Sequence, residues 1–168
     1  MPAKPVALAA LLIAPVLPFA PAAQAGSADP TADCYAAAST EAERAACIGL
    51  SSTQCRKRLR SPQVTDLAMC MNEEISWWRA RLKTAEEAMH TRAAERDKPY
   101  EKQIAAGAAR MTDDLDKMIA AWNSWEQMRC NFDSMFYRSS PKRMVNAQEC
   151  HLRETAKQVI LLETSAAR

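Results

Sequence analysis

The chain has 168 residues, 48% of them hydrophobic, with 22 Lys and Arg set against 20 Asp and Glu. A net charge of +2 excludes the strongly basic balance of an obligatory nucleic-acid or anionic-membrane binder. The length and apolar content are those of one domain with its own core rather than of a disordered tail.

The amino terminus reads as a secretory signal. Lys4 supplies a short positive region, Val6 to Phe19 is apolar apart from its prolines, and Ala23-Gln24-Ala25 gives the small-x-small cleavage pattern. Pro15, Pro18 and Pro21 interrupt a stretch already too short to span a bilayer, so the chain is not expected to be membrane-spanning. The expected organisation is a signal peptide over 1–25 and a single helical domain over 26–168, located in the periplasm. Loss of Lys4 lowers the net charge by one, and neither sign dominates what remains.

After a flexible start at Gly26 to Pro30, Thr40 and Glu43 form a capping box that predicts a helix from about Glu41 to Arg58. Ser61 and Pro62 read as the N-cap and first residue of the next helix. That helix carries Val64, Leu67, Met71, Ile75, Trp78, Leu82, Ala85 and Met89 at three- and four-residue steps and ends before Pro99. A third stripe joins Ile104, Ala108, Met111, Leu115, Met118, Trp122, Trp125, Phe132 and Phe136, with Gly107 delaying a firm helix until about Thr112. A final helix is predicted from about Asn146, with Leu152, Ala156, Val159 and Ile160 facing inward. Strand signals are absent. The predicted fold class is all-α: a disulfide-stapled antiparallel bundle of about four helices, dominated by a long antiparallel pair.

Six cysteines in an exported chain imply disulfides rather than thiol chemistry. Cys34 and Cys47 straddle Ser39-Thr40, Cys55 and Cys70 are centred on Ser61-Pro62, and Cys130 and Cys150 are centred on residue 140. Cysteines equidistant from a turn between helices that double back are brought side by side. The expected pairs are therefore Cys34–Cys47, Cys55–Cys70 and Cys130–Cys150.

No constellation for catalysis stands out. Glu86, Glu87 and His90 share a helix face, but two kinds of ligand on a solvated face do not make a metal site. His151 follows Cys150, yet a Cys–His pair needs a free thiolate. Asp113, Asp114 and Asp116 suit the negative charge favoured near a helix N-terminus. The chain is therefore expected not to be an enzyme and to have no catalytic residues, cofactor or metal. Trp78, Trp122 and Trp125 read as core, whereas Trp77 lies off the stripe and is a candidate partner anchor or the flank of a wide buried face. The other candidate binding residues are Tyr137, Arg138, Ser139, Lys142 and Arg143, in a basic loop clamped by Cys130–Cys150 that loses less entropy on binding than a free loop.

From Cys34 to Leu162 the order of these features resembles the LprI-type lysozyme-inhibitor domain, a family of small exported bacterial helical proteins. The resemblance rests on the segment Cys34 to Cys47, on the stretch Cys70 to Leu82 with its Trp77-Trp78, on Trp122, Trp125 and Cys130 as a W-x-x-aromatic-x-x-x-x-C segment, and on Cys150 with Thr155. The chain departs from the family at Lys83, Glu86, Ile119, Ala120, Glu126, Gln127 and Gln158. The resemblance implies a binding protein that occludes the glycan-cleaving site of a lysozyme-like hydrolase. Arg138, Lys142 and Arg143 would contact its carboxylates, with Tyr137 at the rim. The alternative is a non-enzymatic envelope assembly factor that binds another periplasmic protein through a helix face including Trp77.

Overall fold

The computed structural model describes residues 29–167, so the signal peptide and cleavage site expected over 1–25 lie outside the described residues. These residues form helices only: α1 (Pro30–Ala37), α2 (Glu41–Ala46), α3 (Leu50–Arg58), α4 (Val64–Asp97), α5 (Glu101–Ala105), α6 (Met111–Met135) and α7 (Lys142–Ala166). None is long and apolar enough to cross a membrane.

The three long helices α4, α6 and α7 reverse direction in succession. Asp97 at the end of α4 meets Thr112 at the start of α6, and Cys130 near the end of α6 meets Cys150 of α7. Two reversals leave α4 and α7 parallel, and these two share the broadest interface, so the dominant pair is a parallel one and not the antiparallel pair expected, although successive long helices are antiparallel. Met71, Ile75, Trp78, Leu82 and Ala85 of α4 pack there against Leu152, Ala156, Val159, Ile160 and Leu162 of α7. Both sets lie at helical three- and four-residue steps, so each helix turns one continuous apolar stripe to the other.

The amino-terminal segment departs most from expectation. Residues 30–37, for which the sequence predicted no helix, form α1, because the Asp29 side chain accepts from the amides of Thr31 and Ala32 and Pro30 sits in the first turn. The capping box forms as read, with Thr40 Oγ1 accepting from Glu43 N at 3.2 Å and Glu43 Oε2 accepting from Thr40 N at 2.9 Å. The helix predicted to reach Arg58 is broken after Ala46, and Gly49 adopts a left-handed φ of 90° before α3 begins. That break points the Gly49 and Ser52 amides at Glu74.

Glu74 is buried on α4 and binds four donors from across the molecule. Its Oε1 accepts from Thr31 Oγ1 (2.9 Å), Gly49 N (2.8 Å) and Trp78 Nε1 (3.2 Å), and its Oε2 accepts from Ser52 N (2.8 Å). One carboxylate thus ties α1 and the α2–α3 break to the long helix.

α4 starts at Val64 rather than at Pro62, because Asp66 Oδ2 reaches back to the Gln63 amide at 2.8 Å. It ends at Asp97, and a 3₁₀ turn over Lys98–Tyr100 accommodates Pro99. Gly107, at φ 102°, reverses the chain into α6. There the Asp97 carboxylate accepts from Met111 N (2.8 Å), Thr112 N (3.1 Å) and Thr112 Oγ1 (3.1 Å). Partial desolvation raises the Asp97 pKa, but these donors and the Arg110 charge outweigh it and hold the carboxyl below its ordinary 3.8. The folded value is the lower one, so this contribution is present above the ordinary value and is lost as pH falls through the depressed one. Hydrogen exchange is expected to show protection of the Met111 and Thr112 amides declining below pH 3.8. An Asp97→Asn variant should lack that pH dependence.

α6 buries only part of the apolar stripe read from its sequence. Leu115 and Trp122 face α4 and α7, together with Glu126, Cys130 and Ser134. Met111, Met118, Trp125, Phe132 and Phe136 are exposed, so Trp125 is not a core residue. With about 3.6 residues per turn, the exposed set lies roughly a third of a turn from the buried one. A helix with two neighbours on one side can bury only one of the two stripes.

α7 begins at Lys142, about one turn earlier than the predicted Asn146 start. Ser140 supplies the first cap, its Oγ accepting from Lys142 N at 3.2 Å, and Pro141 fits where a helix needs no amide donor.

Candidate functional site: the clamped tip between α6 and α7

The cysteines pair as Cys34–Cys47, Cys55–Cys70 and Cys130–Cys150, with Cα atoms 5.6, 5.6 and 5.3 Å apart. These are the pairs expected from the turns, and among the described residues no cysteine is free. Disulfides of this kind belong to an oxidising, extracytoplasmic compartment.

The third bridge, fully buried, forms the floor beneath the α6–α7 connection. Beyond it α6 runs out through Met135 into a chain of tight turns. Tyr137 N donates to Ser134 O (3.0 Å), Ser140 N to Tyr137 O (2.9 Å) and Arg143 N to Ser140 O (3.0 Å). The backbone of the tip is therefore held by its own hydrogen bonds as well as by the covalent clamp.

Tyr137, Arg138, Ser139, Lys142 and Arg143 are all brought together at this tip, and all are exposed. None of Arg138, Lys142 and Arg143 pairs with an acidic side chain among the described residues. The nearest carboxylate on α6, Asp133, is bound instead by Arg129 and lies 3.9 Å from Arg153. Beside the cations stand Phe136, 75% exposed, and Phe132, which meets it edge-on with ring centroids 5.4 Å apart. The tip thus offers three unneutralised cations around an aromatic knob, a surface suited to carboxylates set in a partly apolar cleft.

Trp77 lies elsewhere. It is half-buried on α4 and stacks edge-on with Tyr35 (5.9 Å) and Trp78 (4.7 Å), while the Arg81 guanidinium lies 5.7 Å from its ring. The neighbouring Glu163 of α7 binds Arg81 at 2.7 Å, the Tyr35 hydroxyl at 2.9 Å and Arg44 at 3.7 Å. Burial, and then the Glu163 carboxylate, push the Tyr35 phenol above its ordinary pKa. At about 1.5 Å of rise per residue, Glu163 and with it Trp77 sit about 30 Å along α7 from Lys142. The two candidate surfaces are therefore separate.

One cluster escaped the sequence reading. Directly below the clamp, His151 Nδ1 meets Glu126 Oε1 at 2.5 Å, and both side chains are largely shielded from solvent. Glu126, Cys130 and His151 place one ligand atom each within 4.8 Å of one another, but with the Cys130 sulfur bonded to Cys150 only two donors are available to a cation. The pair serves as a polar layer that fixes α6 against α7. Its signal was present: a bridge between 130 and 150 sets residue 126, one turn below, level with the next turn of the partner helix. His90, read as one of a surface trio with Glu86 and Glu87, instead reaches across to Asp116 of α6 at 3.2 Å. Burial leaves the Glu86 carboxyl above its ordinary pKa.

Residues 55–162, running from the last turn of α3 through most of α7 and including the whole tip, match the family described as Lysozyme inhibitor LprI. The chain is 51% identical over 156 residues to a Rhodobacter capsulatus protein described as "Uncharacterized 17.7 kDa protein in puhA 5'region", a match covering 93% of this chain and 94% of that protein. No solved structure matches.

Proposed function

Because the chain belongs to the LprI lysozyme-inhibitor family, we propose that it is a non-enzymatic periplasmic binding protein that occludes the glycan-cleaving site of a lysozyme-like hydrolase. The observation that carries this reading is the clamped tip. Arg138, Lys142 and Arg143 project without acidic partners among the described residues, beside the exposed Phe136 and Tyr137. Glycan hydrolases of this type work with a pair of carboxyl groups in a cleft. Three cations on a preorganised turn address such a pair at little cost in loop ordering.

Attraction acts locally in this scheme. Lysozymes are commonly basic, and a chain whose net charge is +2 gains no long-range steering towards them. Affinity must then come from contacts made once the tip enters the cleft, so added salt should change the association rate only slightly.

Turbidimetric lysis of cell-wall suspensions by several lysozyme classes, with and without the purified oxidised protein, tests the reading. Dose-dependent protection against one class is the expected result. The triple variant Arg138→Ala, Lys142→Ala, Arg143→Ala should weaken that protection by about a hundredfold while leaving the far-ultraviolet circular dichroism unchanged. Undiminished inhibition by the variant would remove the tip from the mechanism. Inactivity of the native protein towards every class would turn attention to Trp77 and another envelope protein.

A further inference from the structure

The exposed apolar face of α6 has a regular period. Met111, Met118, Trp125 and Phe132 recur every seven residues, and Ala121, Met128 and Met135 recur at the intervening step of three. This is the a/d pattern of a helix that packs lengthwise against another helix. In this chain α4 and α7 lie on the other side of α6, and among the described residues nothing covers the seam. Its large side chains are exposed by between 45% at Met118 and 75% at Phe136.

We infer that a second copy of this chain covers the seam, with two α6 helices packed antiparallel about a two-fold axis. Area and charge both favour this occupant. Taking about 200 Å² for a large side chain in full solvent, the exposed fractions leave on the order of 700 Å² on one helix, close to the ~800 Å² per partner of a stable interface. Isolated monomers seldom leave a contiguous apolar patch of that size uncovered.

Charge then selects the direction. Asp113, Asp114 and Asp116 stand at the start of α6, offset by Lys117 (bound to Asp114 at 2.9 Å), by His90, by Arg110, and by Arg92 and Arg96 of α4, which line a groove with Met111, Asp114 and Met118. Arg138, Lys142 and Arg143 stand at its far end. A parallel pair would set the unneutralised cations of the two tips side by side, whereas an antiparallel pair separates them and sets Asp114 of each helix beside the basic tip of the other.

One register satisfies both requirements. Met118 packs on Met135 of the second copy, Trp125 on Met128, and Phe132 over the small Ala121. In that register Asp114 lies level with Ser139 of the other copy and so stands beside Arg138, while Asp116 faces His90 of α4 and lies away from the seam. A two-fold contact repeats each of these pairs and closes at two copies. The tip assigned above to lysozyme is engaged in this dimer, so dimerisation and inhibition compete, but the self-association itself does not depend on the inhibitor reading.

Sedimentation velocity on the mature, oxidised protein over a range of concentrations is the test. The expected result is a reversible shift from one chain to two. The variant Trp125→Glu, Phe132→Glu alters only exposed side chains; it should retain its helical signal and raise the dimer dissociation constant by at least about thirtyfold. Reversing the seam-side acids alone (Asp113→Lys, Asp114→Lys) should weaken the dimer. Adding Arg138→Glu, Lys142→Glu and Arg143→Glu in the same chain should restore it. A mass of one chain at every concentration would overturn the inference, as would a dimer indifferent to the seam variant, and a failure of the charge swap to rescue would overturn the antiparallel arrangement. None of these readings involves a lysozyme, so a failure here is distinguishable from a failure of inhibition.

Discussion

Replacing Glu74 by alanine is expected to lower the unfolding free energy by about 3–5 kcal/mol, close to the loss seen when one partner of a buried charged network is removed. The cost does not lie in the carboxylate itself, whose burial is unfavourable until it is paired. It lies in the donors left behind: the Gly49 and Ser52 amides, the Thr31 hydroxyl and the Trp78 indole N–H, all converging on one side chain that is 2% exposed. Each buried donor without a partner forfeits about 1–3 kcal/mol, partly recovered where water enters. Glutamine in place of Glu74 keeps the volume but turns an N–H₂ towards donors, so it should recover only part of the loss. Glu73, one residue earlier and exposed, provides the control, since its alanine variant should fall within about 0.5 kcal/mol of the native chain. Urea unfolding followed by circular dichroism measures all three. A Glu74→Ala midpoint matching that of Glu73→Ala would show that the α1–α3 layer is not fastened through this carboxylate.

Opening the third disulfide, as Cys130→Ala with Cys150→Ala, is expected to cost about 3 kcal/mol, the loop entropy restored to the unfolded chain by releasing a closed loop of this size. Both cysteines are buried with separation 20, and alanine leaves no new polar group in their place. Beneath them the Glu126–His151 contact and the α6–α7 packing remain, so the helices should persist with a lower urea midpoint. The tip should suffer more than the fold does. Without its covalent floor, residues 136–141 pay on binding the ordering cost that the bridge had removed in advance. The inhibition proposed above is therefore expected to weaken in this variant even where the protein is still fully folded. Retained inhibition at full strength would mean that the turn hydrogen bonds alone organise the tip.

Much of this fold was legible in the residues, and the parts that were not share a cause. The α4 stripe from Met71 to Ala85 and the α7 set Leu152, Ala156, Val159 and Ile160 lie inward as read, because each of these helices carries one apolar face and has one main neighbour. On α6 the same method merged two faces. Met118 and Trp122 are four residues apart and continue one another in any periodic reading, yet one is exposed and the other packs on the core. Periodicity records that a face is apolar and is silent on what covers it. Glu74 was invisible for a different reason. Beside Glu73 on a polar-looking turn it reads as solvent-facing, and its donors come from residues 31, 49 and 52, which only the tertiary structure brings near. At the tip, symmetry about residue 140 located the clamp and the basic residues. It carried no information on the Phe132–Phe136 knob, which the helical pattern had assigned to the core.

The order of the bridges along the chain bears on how the protein acquires them. Each cysteine is joined to the next one in sequence, with separations of 13, 15 and 20, and no bridge encloses or crosses another. A polypeptide delivered to an oxidising compartment amino end first exposes Cys34 and then its own partner before Cys55 arrives, and the pattern repeats twice. Loops this short also close at the least entropic cost. Oxidation in order of arrival would therefore join the same cysteines that the folded protein pairs.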